Sequence, residues 1–279
     1  MKFNRHYNWK KIDQTPFTVV VTFPVDAQNQ VQIPEHEANA MKGSKLLSKY
    51  FQGNYRLHPE WIYCRSLRRN FEDIKLGRID PDDCEMTPEE ELEYFFEKFD
   101  KSGWKWKSTT RSEKAAYKCD QKLVQALMYD AKTTANYPLE PNKKSNSFKT
   151  IFNKYKIHSS FISTHSGLLR FKIFEDDELE NKKLSEKFGN SFKNSIDEDW
   201  YMHTVEINRH EKLDKKSFVY SLPFDARYQD NPLITVTSTV YATDGDENAP
   251  IAVVGFQFPH EELENLFGDK VSVVELILY

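Results

Sequence analysis

The residues of this chain that could do chemistry stand singly along it. The eight histidines share no ligand spacing, and the sequence contains neither a GxSxG nucleophile motif nor a glycine-rich phosphate loop. Acidic residues concentrate at 82–93 and 175–180, but nothing in the sequence holds two carboxylates at a catalytic separation. We interpret both runs as solvated surface. The chain is therefore expected not to be an enzyme and to need no cofactor.

One acidic segment could supply oxygen ligands to calcium: residues 244–248, Asp-Gly-Asp-Glu-Asn. An EF-hand loop starting at Asp244 would need glycine at its sixth position and glutamate at its twelfth, where this chain has Ala249 and Gly255. The flanking sequences are also strand-like rather than helical. A solvated hairpin turn is the favoured interpretation, and no metal site is expected.

The cysteines Cys64, Cys84 and Cys119 are odd in number and show no CxxC spacing. Zinc needs about four ligands, and no Cys/His cluster offers them. From these residues alone, three buried free thiols are the simplest interpretation, and disulfide pairing stays open.

The composition bounds the class of protein. The chain has 279 residues, 39% of them hydrophobic, with 20 Phe and 14 Tyr to fill a core, which suits one large domain or two small ones. Its 39 basic and 43 acidic residues are interspersed, so neither nucleic acid nor an anionic membrane is expected as a partner. No apolar run is long enough for a signal peptide or a membrane span. Taken alone, this fits a cytoplasmic protein, and it equally fits a fragment of a longer secreted one.

Two helices and a strand are predicted in the first half. Residues 87–90 (Thr-Pro-Glu-Glu) supply an N-cap, a proline at the first helical position and a capping-box glutamate. A second capping box at 110–113 and an apolar face predict a long helix over roughly residues 111–134. Alternating residues between Pro16 and Pro24 predict a strand.

The second half has the period of strands. These are predicted at 160–164, 168–174, 217–221, 233–241 and 251–258, with a turn at 165–167 and a hairpin around Gly245. The charged stretch 175–199 is predicted to be a loop, and 258–267 a short closing helix. A long helix ahead of an antiparallel sheet makes the fold class α+β.

Several segments, taken in order, resemble the alpha-2/delta auxiliary subunits of voltage-gated calcium channels. The resemblance covers about residues 15–267, and the order and spacing of its pieces make it specific. Its pieces are residues 15–23, 58–64 (His-Pro-Glu-Trp-Ile-Tyr-Cys), 117–131 (from Tyr-Lys-Cys-Asp to Tyr-Asp-Ala), 161–170 (Phe-Ile-Ser-Thr-His-Ser-Gly-Leu-Leu-Arg), 200–201, 217–224, 234–239 and 253–257.

This resemblance implies a domain organisation. Residues 1–25 would hold the closing strand of a preceding module, and 26–110 a loop-rich region with one amphipathic helix. Residues 111–267 would form a Cache-like domain, with a long helix packed on an antiparallel sheet, and 268–279 a divergent tail.

The resemblance also implies location and partner. Such subunits are secreted and held at the extracellular face of the plasma membrane, where they support surface expression and gating of the pore-forming channel subunit. Membrane association would come only through regions outside this chain. Cys64 and Cys119 match family cysteines and are expected to pair, whereas Cys84 has no match and is either free or paired elsewhere.

A small-molecule-binding Cache sensor is the alternative. Amino-acid-sensing Cache modules build a pocket on Arg-x-Trp-Tyr and a later aspartate. Trp200 and Tyr201 match, with Asp225 as a further candidate for the pocket. Glu198 stands in place of the arginine and Gln257 in place of the aspartate, so an amino-acid carboxylate would be repelled and its ammonium left unpaired.

Overall fold

The fold is mixed α+β and is built around a six-stranded antiparallel sheet, which confirms the predicted class. The computed structural model describes residues 5–11, 18–24, 50–66, 87–93, 117–137, 154–210, 218–221, 232–244 and 247–262. The strands are β1 Arg5–Lys11, β2 Thr18–Pro24, β3 Tyr55–Leu57, β4 Cys64–Ser66, β5 Tyr117–Cys119, β6 Ser159–Thr164, β7 Leu168–Ile173, β8 Val219–Ser221, β9 Leu233–Asp244 and β10 Glu247–Pro259. The helices are α1 Gln121–Thr134, α2 Glu178–Ser191 and α3 Asp199–His210, with a 3₁₀ turn at Ser195–Asp197 and a helical segment at 88–93.

The central sheet has the order β3-β7-β6-β10-β9-β8, so β6 and β10 lie in its middle. The edge strand β3 comes first in the chain and the hairpin β6–β7 follows. A helical crossover of α2 and α3 then leads to β8, and the hairpin β9–β10 completes the sheet. The five strands predicted in this half are confirmed, although β9 and β10 are longer than expected, at 12 and 13 residues. Asp244 pairs with Glu247, so the predicted hairpin around Gly245 is also confirmed.

Helices cover both faces of the sheet. Adjacent residues of a strand point to opposite faces, so they contact different helices. Leu168 of β7 packs with Val124 and Leu127 of α1. The next residue, Leu169, packs on the other side with Phe161 and Phe188. Two separate apolar cores therefore hold the same pair of strands.

The long helix begins later than predicted. Residues 117–119 form strand β5 instead of helix, and Asp120 is the N-cap, with its side chain accepting a hydrogen bond from the backbone N–H of Leu123. The prediction of helix from residue 111 through 119 is wrong over these three residues, because β5 pairs with β4 and tertiary pairing overrides local propensity. The predicted end at Thr134 is confirmed.

The predicted loop at 175–199 is wrong, since it contains α2. Asp177 caps this helix by accepting from the N–H of Glu180, and acidic residues in the first turn suit the helix dipole. Phe188 and Gly189 are buried against the sheet. The high charge of the segment concealed this narrow apolar face.

The helical segment 88–93 has the predicted capping box. The Thr87 N–H donates to the Glu90 carboxylate, and the Glu90 N–H donates to the Thr87 hydroxyl. Glu89 reaches to the sheet, where its Oε1 accepts from the backbone N–H of Leu57 in edge strand β3 at 2.6 Å. This segment therefore contacts one edge of the central sheet.

The N-terminal strand prediction is confirmed by β2, which pairs with β1. The strand β1 was not predicted, because its sequence lacks a clear apolar alternation. The division of the chain at residues 25, 110 and 267 stays a prediction, although β3 adds residues of the second predicted region to the central sheet. Of the predicted closing helix, residues 260–262 are helical. Its remainder and the predicted tail at 268–279 lie outside the described residues.

Candidate functional site

Two parts of the structure are candidate sites: an aromatic pocket between the sheet and the crossover helices, and a polar junction around the β6–β7 turn. The aromatic pocket is lined by Phe161, Leu169, Phe188, Phe192, Trp200, Thr235 and Gln257. It brings together two positions singled out in the sequence, Trp200 and Gln257. Tyr201 points away, and its hydroxyl lies 2.7 Å from Nδ1 of His165. Asp225 lies outside the described residues.

The aromatic pocket is filled by its own side chains. The rings of Phe161 and Trp200 meet edge to face with centroids 5.2 Å apart, and those of Phe188 and Phe192 lie 4.7 Å apart. The space left between the rings is too narrow for a water molecule. Nε1 of Trp200 is buried and has no acceptor within the described residues.

The two positions that replace the ligand-holding arginine and aspartate also lack free groups for an amino acid. Gln257 accepts from the Ser159 hydroxyl at 2.9 Å and donates to Oγ1 of Thr235 at 3.1 Å, so both ends of its amide are used. Partial burial, then the neighbouring carboxylates of Asp199 and Asp197, raise the pKa of Glu198. A ligand carboxylate beside Glu198 would add a further negative charge.

The polar junction joins three sequence segments that lie far apart in the chain. The His58 N–H donates to the carbonyl of Gly167, and the Tyr63 hydroxyl donates to the carbonyl of Ser166 at 2.8 Å. From α1, Asp130 accepts from the Ser166 hydroxyl at 2.6 Å. The β6–β7 turn is therefore held by residues 58–63 and by α1 together.

His58 extends the junction to the crossover. Its ring is 1% exposed, stacks on Trp61, and has Nε2 2.8 Å from Oδ2 of Asp197, which is 61% exposed. The backbone N–H of Glu60 approaches the other ring nitrogen at 3.4 Å. This arrangement ties the 3₁₀ turn to residues 58–63 and gives His58 a structural role.

Cys64 lies at the end of the same segment and is in a disulfide bond. It is completely buried, and the pairing of β4 with β5 places Cys119 directly opposite it. Next to Cys119, the Asp120 N–H donates to the carbonyl of Tyr63. The geometry of the two strands is thus compatible with the predicted partner of Cys64.

Asp130 gives the junction a pH dependence. Burial raises its pKa above the ordinary value of 3.8, against the opposing effect of hydrogen bonds from Ser166 and Thr164. The folded chain therefore keeps this proton at pH values where the unfolded chain has lost it. Stability should fall as pH rises from the ordinary value through the raised pKa, because the folded state binds more protons in that window.

The test compares the chain with its Asp130→Asn variant in urea unfolding at a series of pH values between about 4 and 7. We expect the variant to lack the decrease in unfolding free energy with rising pH that Asp130 causes. Burial lowers the pKa of His165, which changes stability with pH in the opposite direction. Because His165 is present in both proteins, its contribution cancels in the comparison. Identical slopes would contradict the assignment to Asp130.

Sequence reasoning did not single out Asp130, His58 or Arg170 as site residues. Arg170, on β7, donates to Oγ1 of Thr134 at 2.9 Å and to three backbone carbonyls. All three residues lie within segments quoted for the family resemblance, and this resemblance is the sequence feature that could have pointed to them.

Within the described ranges, no group of three or more His, Cys, Asp or Glu side chains could hold a metal ion. The same part of the chain contains no helix with the length and apolar character needed to cross a membrane. No model of a known protein family matches this chain, and no curated protein matches it either.

Proposed function

We propose that this chain is an extracellular segment of an alpha-2/delta-like auxiliary subunit of a voltage-gated calcium channel. In this role it supports surface expression and gating of the pore-forming subunit, and it does so without catalysis. The observation that carries the proposal is the polar junction. Residues 58–64, 117–131 and 161–170, three of the segments on which the family resemblance rests, contact one another there.

The segments that meet there are separated by up to about fifty residues along the chain. Here Tyr63, Asp130 and Gly167 each come from a different segment, and they lie around one turn. The helix α1 ahead of an antiparallel sheet also agrees with a Cache-like module.

The disulfide at Cys64 supports an extracellular location. Disulfide bonds persist in secreted and extracellular proteins and are rare in the cytosol, where thiols are kept reduced. We propose Cys119 as the partner, so that β4 and β5 are covalently joined. On this proposal the membrane attachment of the complete subunit comes from regions outside this chain.

The alternative, a small-molecule sensor, is less well supported. Its candidate pocket contains Trp200 and Gln257, but four aromatic rings fill it, and the Gln257 amide is used internally. An interaction module that needs its core only for rigidity fits these contacts better.

Calcium-current density in cells that express the pore-forming subunit tests the proposal. The complete protein containing this chain is compared with the same protein carrying Gly167→Ala, which disrupts the junction, and with Gly53→Ala as a matched control. We expect Gly167→Ala to remove the current increase, because a misfolded segment cannot support channel delivery, and Gly53→Ala to retain most of it.

A deletion of residues 15–267 should also remove the increase, and the chain secreted alone shows whether it suffices. If the complete protein gives no current increase, or if the deletion leaves the increase intact, the channel-support role fails for this segment. Surface labelling of the pore-forming subunit in the same cells separates an effect on delivery from an effect on gating.

A further inference from the structure

Arg170 carries a positive charge that its protein surroundings do not fully balance. The side chain is 4% exposed. Its guanidinium donates to the Thr134 hydroxyl and to the carbonyls of Gln52, Tyr50 and Ala131, all of which are neutral groups. Among the described residues, no carboxylate lies within ion-pair distance of it. Burial lowers the pKa of this guanidinium, and the neighbouring Tyr55 hydroxyl opposes that effect.

Part of the charge is offset by α1. Ala131 and Thr134 belong to its last turn, where the helix dipole amounts to roughly half a negative charge. Buried charges in proteins are usually paired with an opposite charge, because removing an ion from water is costly.

An open groove is lined in part by Arg170. It has a volume of about 410 Å³, which is within the range of small-molecule sites. Polar side chains dominate its walls, and Arg170 and Lys172 are its basic members. The polar members are Gln52, Asn54, Thr134, Tyr137 and Asn181. None of these groove residues belongs to the aromatic pocket.

Within the described part of the chain, one N–H donor of Arg170 has no acceptor. A guanidinium has five N–H groups, and the hydrogen bonds described above use four of them. The remaining one belongs to Nη1, whose described acceptor is the carbonyl of Gln52. An anion in the groove would therefore meet both a donor and a net positive charge.

A second groove limits the charge of such an anion. It shares Asn54, Phe171 and Asn181 with the first, so the two are neighbours. Its walls carry four carboxylates and two cations, so negative charge is in excess; the carboxylates are those of Glu175, Asp176, Glu178 and Glu186, and the cations those of Arg56 and Lys182. This excess would repel a ligand with several negative charges. A small polar ligand with a single negative charge therefore suits both grooves.

We propose that the groove beside Arg170 is a binding site for a small monocarboxylate. The carboxylate lies at Arg170, between the end of α1 and the β3–β7 edge of the sheet, and accepts the remaining Nη1 hydrogen. The site is separate from the channel-support role and does not depend on it.

The test is a titration of the full chain, labelled with ¹⁵N-arginine, with sodium acetate. Acetamide is the neutral isostere, and sodium chloride at equal ionic strength is the control for salt. We expect a saturable shift of the Arg170 side-chain resonance with acetate alone. Arg56, which lies in the second groove, is the internal control and should show no saturable shift.

A shift that only follows ionic strength would overturn the proposal, because α1 would then suffice to balance Arg170. An equal saturable shift with chloride would overturn the carboxylate assignment. Acetyl-diglycine and its C-terminal amide distinguish two sources of the ligand. Binding of the free acid alone supports a peptide C-terminus, and binding of acetate without acetyl-diglycine supports a free metabolite. The Arg170→Lys variant should lose the acetate-dependent rise in melting temperature seen with the unmodified chain.

Discussion

Replacing Gly167 with alanine should destabilise the fold by about 3–5 kcal/mol, a large part of the stability of an ordinary domain. Gly167 has φ +79°, a conformation that costs an L-residue free energy. A Cβ placed there would also lie 2.4 Å from the Tyr63 hydroxyl and 2.9 Å from Cβ of His58. Strain and overpacking therefore add at one position. Urea unfolding of the two proteins measures the difference.

Gly53 provides a matched control, because it has nearly the same φ, +80°, with no other atom within 4 Å of the Cβ position. Gly53→Ala should cost only the conformational part, about 1–2 kcal/mol. The difference between the two variants isolates the close packing of residues 58–63 on the turn. Equal losses would show that this packing is loose and would remove the basis for the polar junction.

Loss of the disulfide at Cys64 should be comparably severe. Pairing with Cys119 would close a loop of about 55 residues, and its removal should cost roughly 4 kcal/mol in the chain-entropy model. Cys64→Ser and Cys119→Ser are each expected to show this loss in urea unfolding. Because one bond is broken in either case, the double variant should be little less stable than the single ones.

Cys84→Ser is the control and should leave the stability nearly unchanged. Peptide mapping without reduction should identify one cross-linked pair containing Cys64 and Cys119. Additive losses in the double variant, or a cross-link between Cys64 and Cys84, would contradict the proposed pairing. Either result would also remove one support for the family resemblance.

The elements that the sequence predicted well are those with strong local signals. The capping box at Thr87 and Glu90 forms as expected, because each residue satisfies a backbone N–H of the other. The β6–β7 hairpin was also predictable, since Gly167 suits a left-handed turn between two apolar runs. These features need only a few neighbouring residues.

The wrong predictions concern elements whose structure depends on residues far away in the sequence. Strand β5 interrupts the predicted helix because its partner β4 lies more than fifty residues earlier. The charge of residues 175–199 hid α2, whose buried side depends on the sheet beneath Phe188. For the candidate sites, Trp200 and Gln257 line one pocket, but the rings that fill it come from three separate elements, which the sequence does not bring together. The role of Arg170 was not predictable, because its acceptors are mostly backbone carbonyls.

The hydrogen bond from the Leu57 N–H to Glu89 has a consequence for self-association. An uncovered edge strand offers unpaired N–H groups to the strand of another molecule and can start aggregation. At β3 this outward N–H is occupied by a carboxylate at 2.6 Å. A negative charge held against that edge also repels an approaching acidic chain. Glu89 therefore removes one N–H group that this edge could offer to another molecule, and a chain without Glu89 should form intermolecular β-structure more readily.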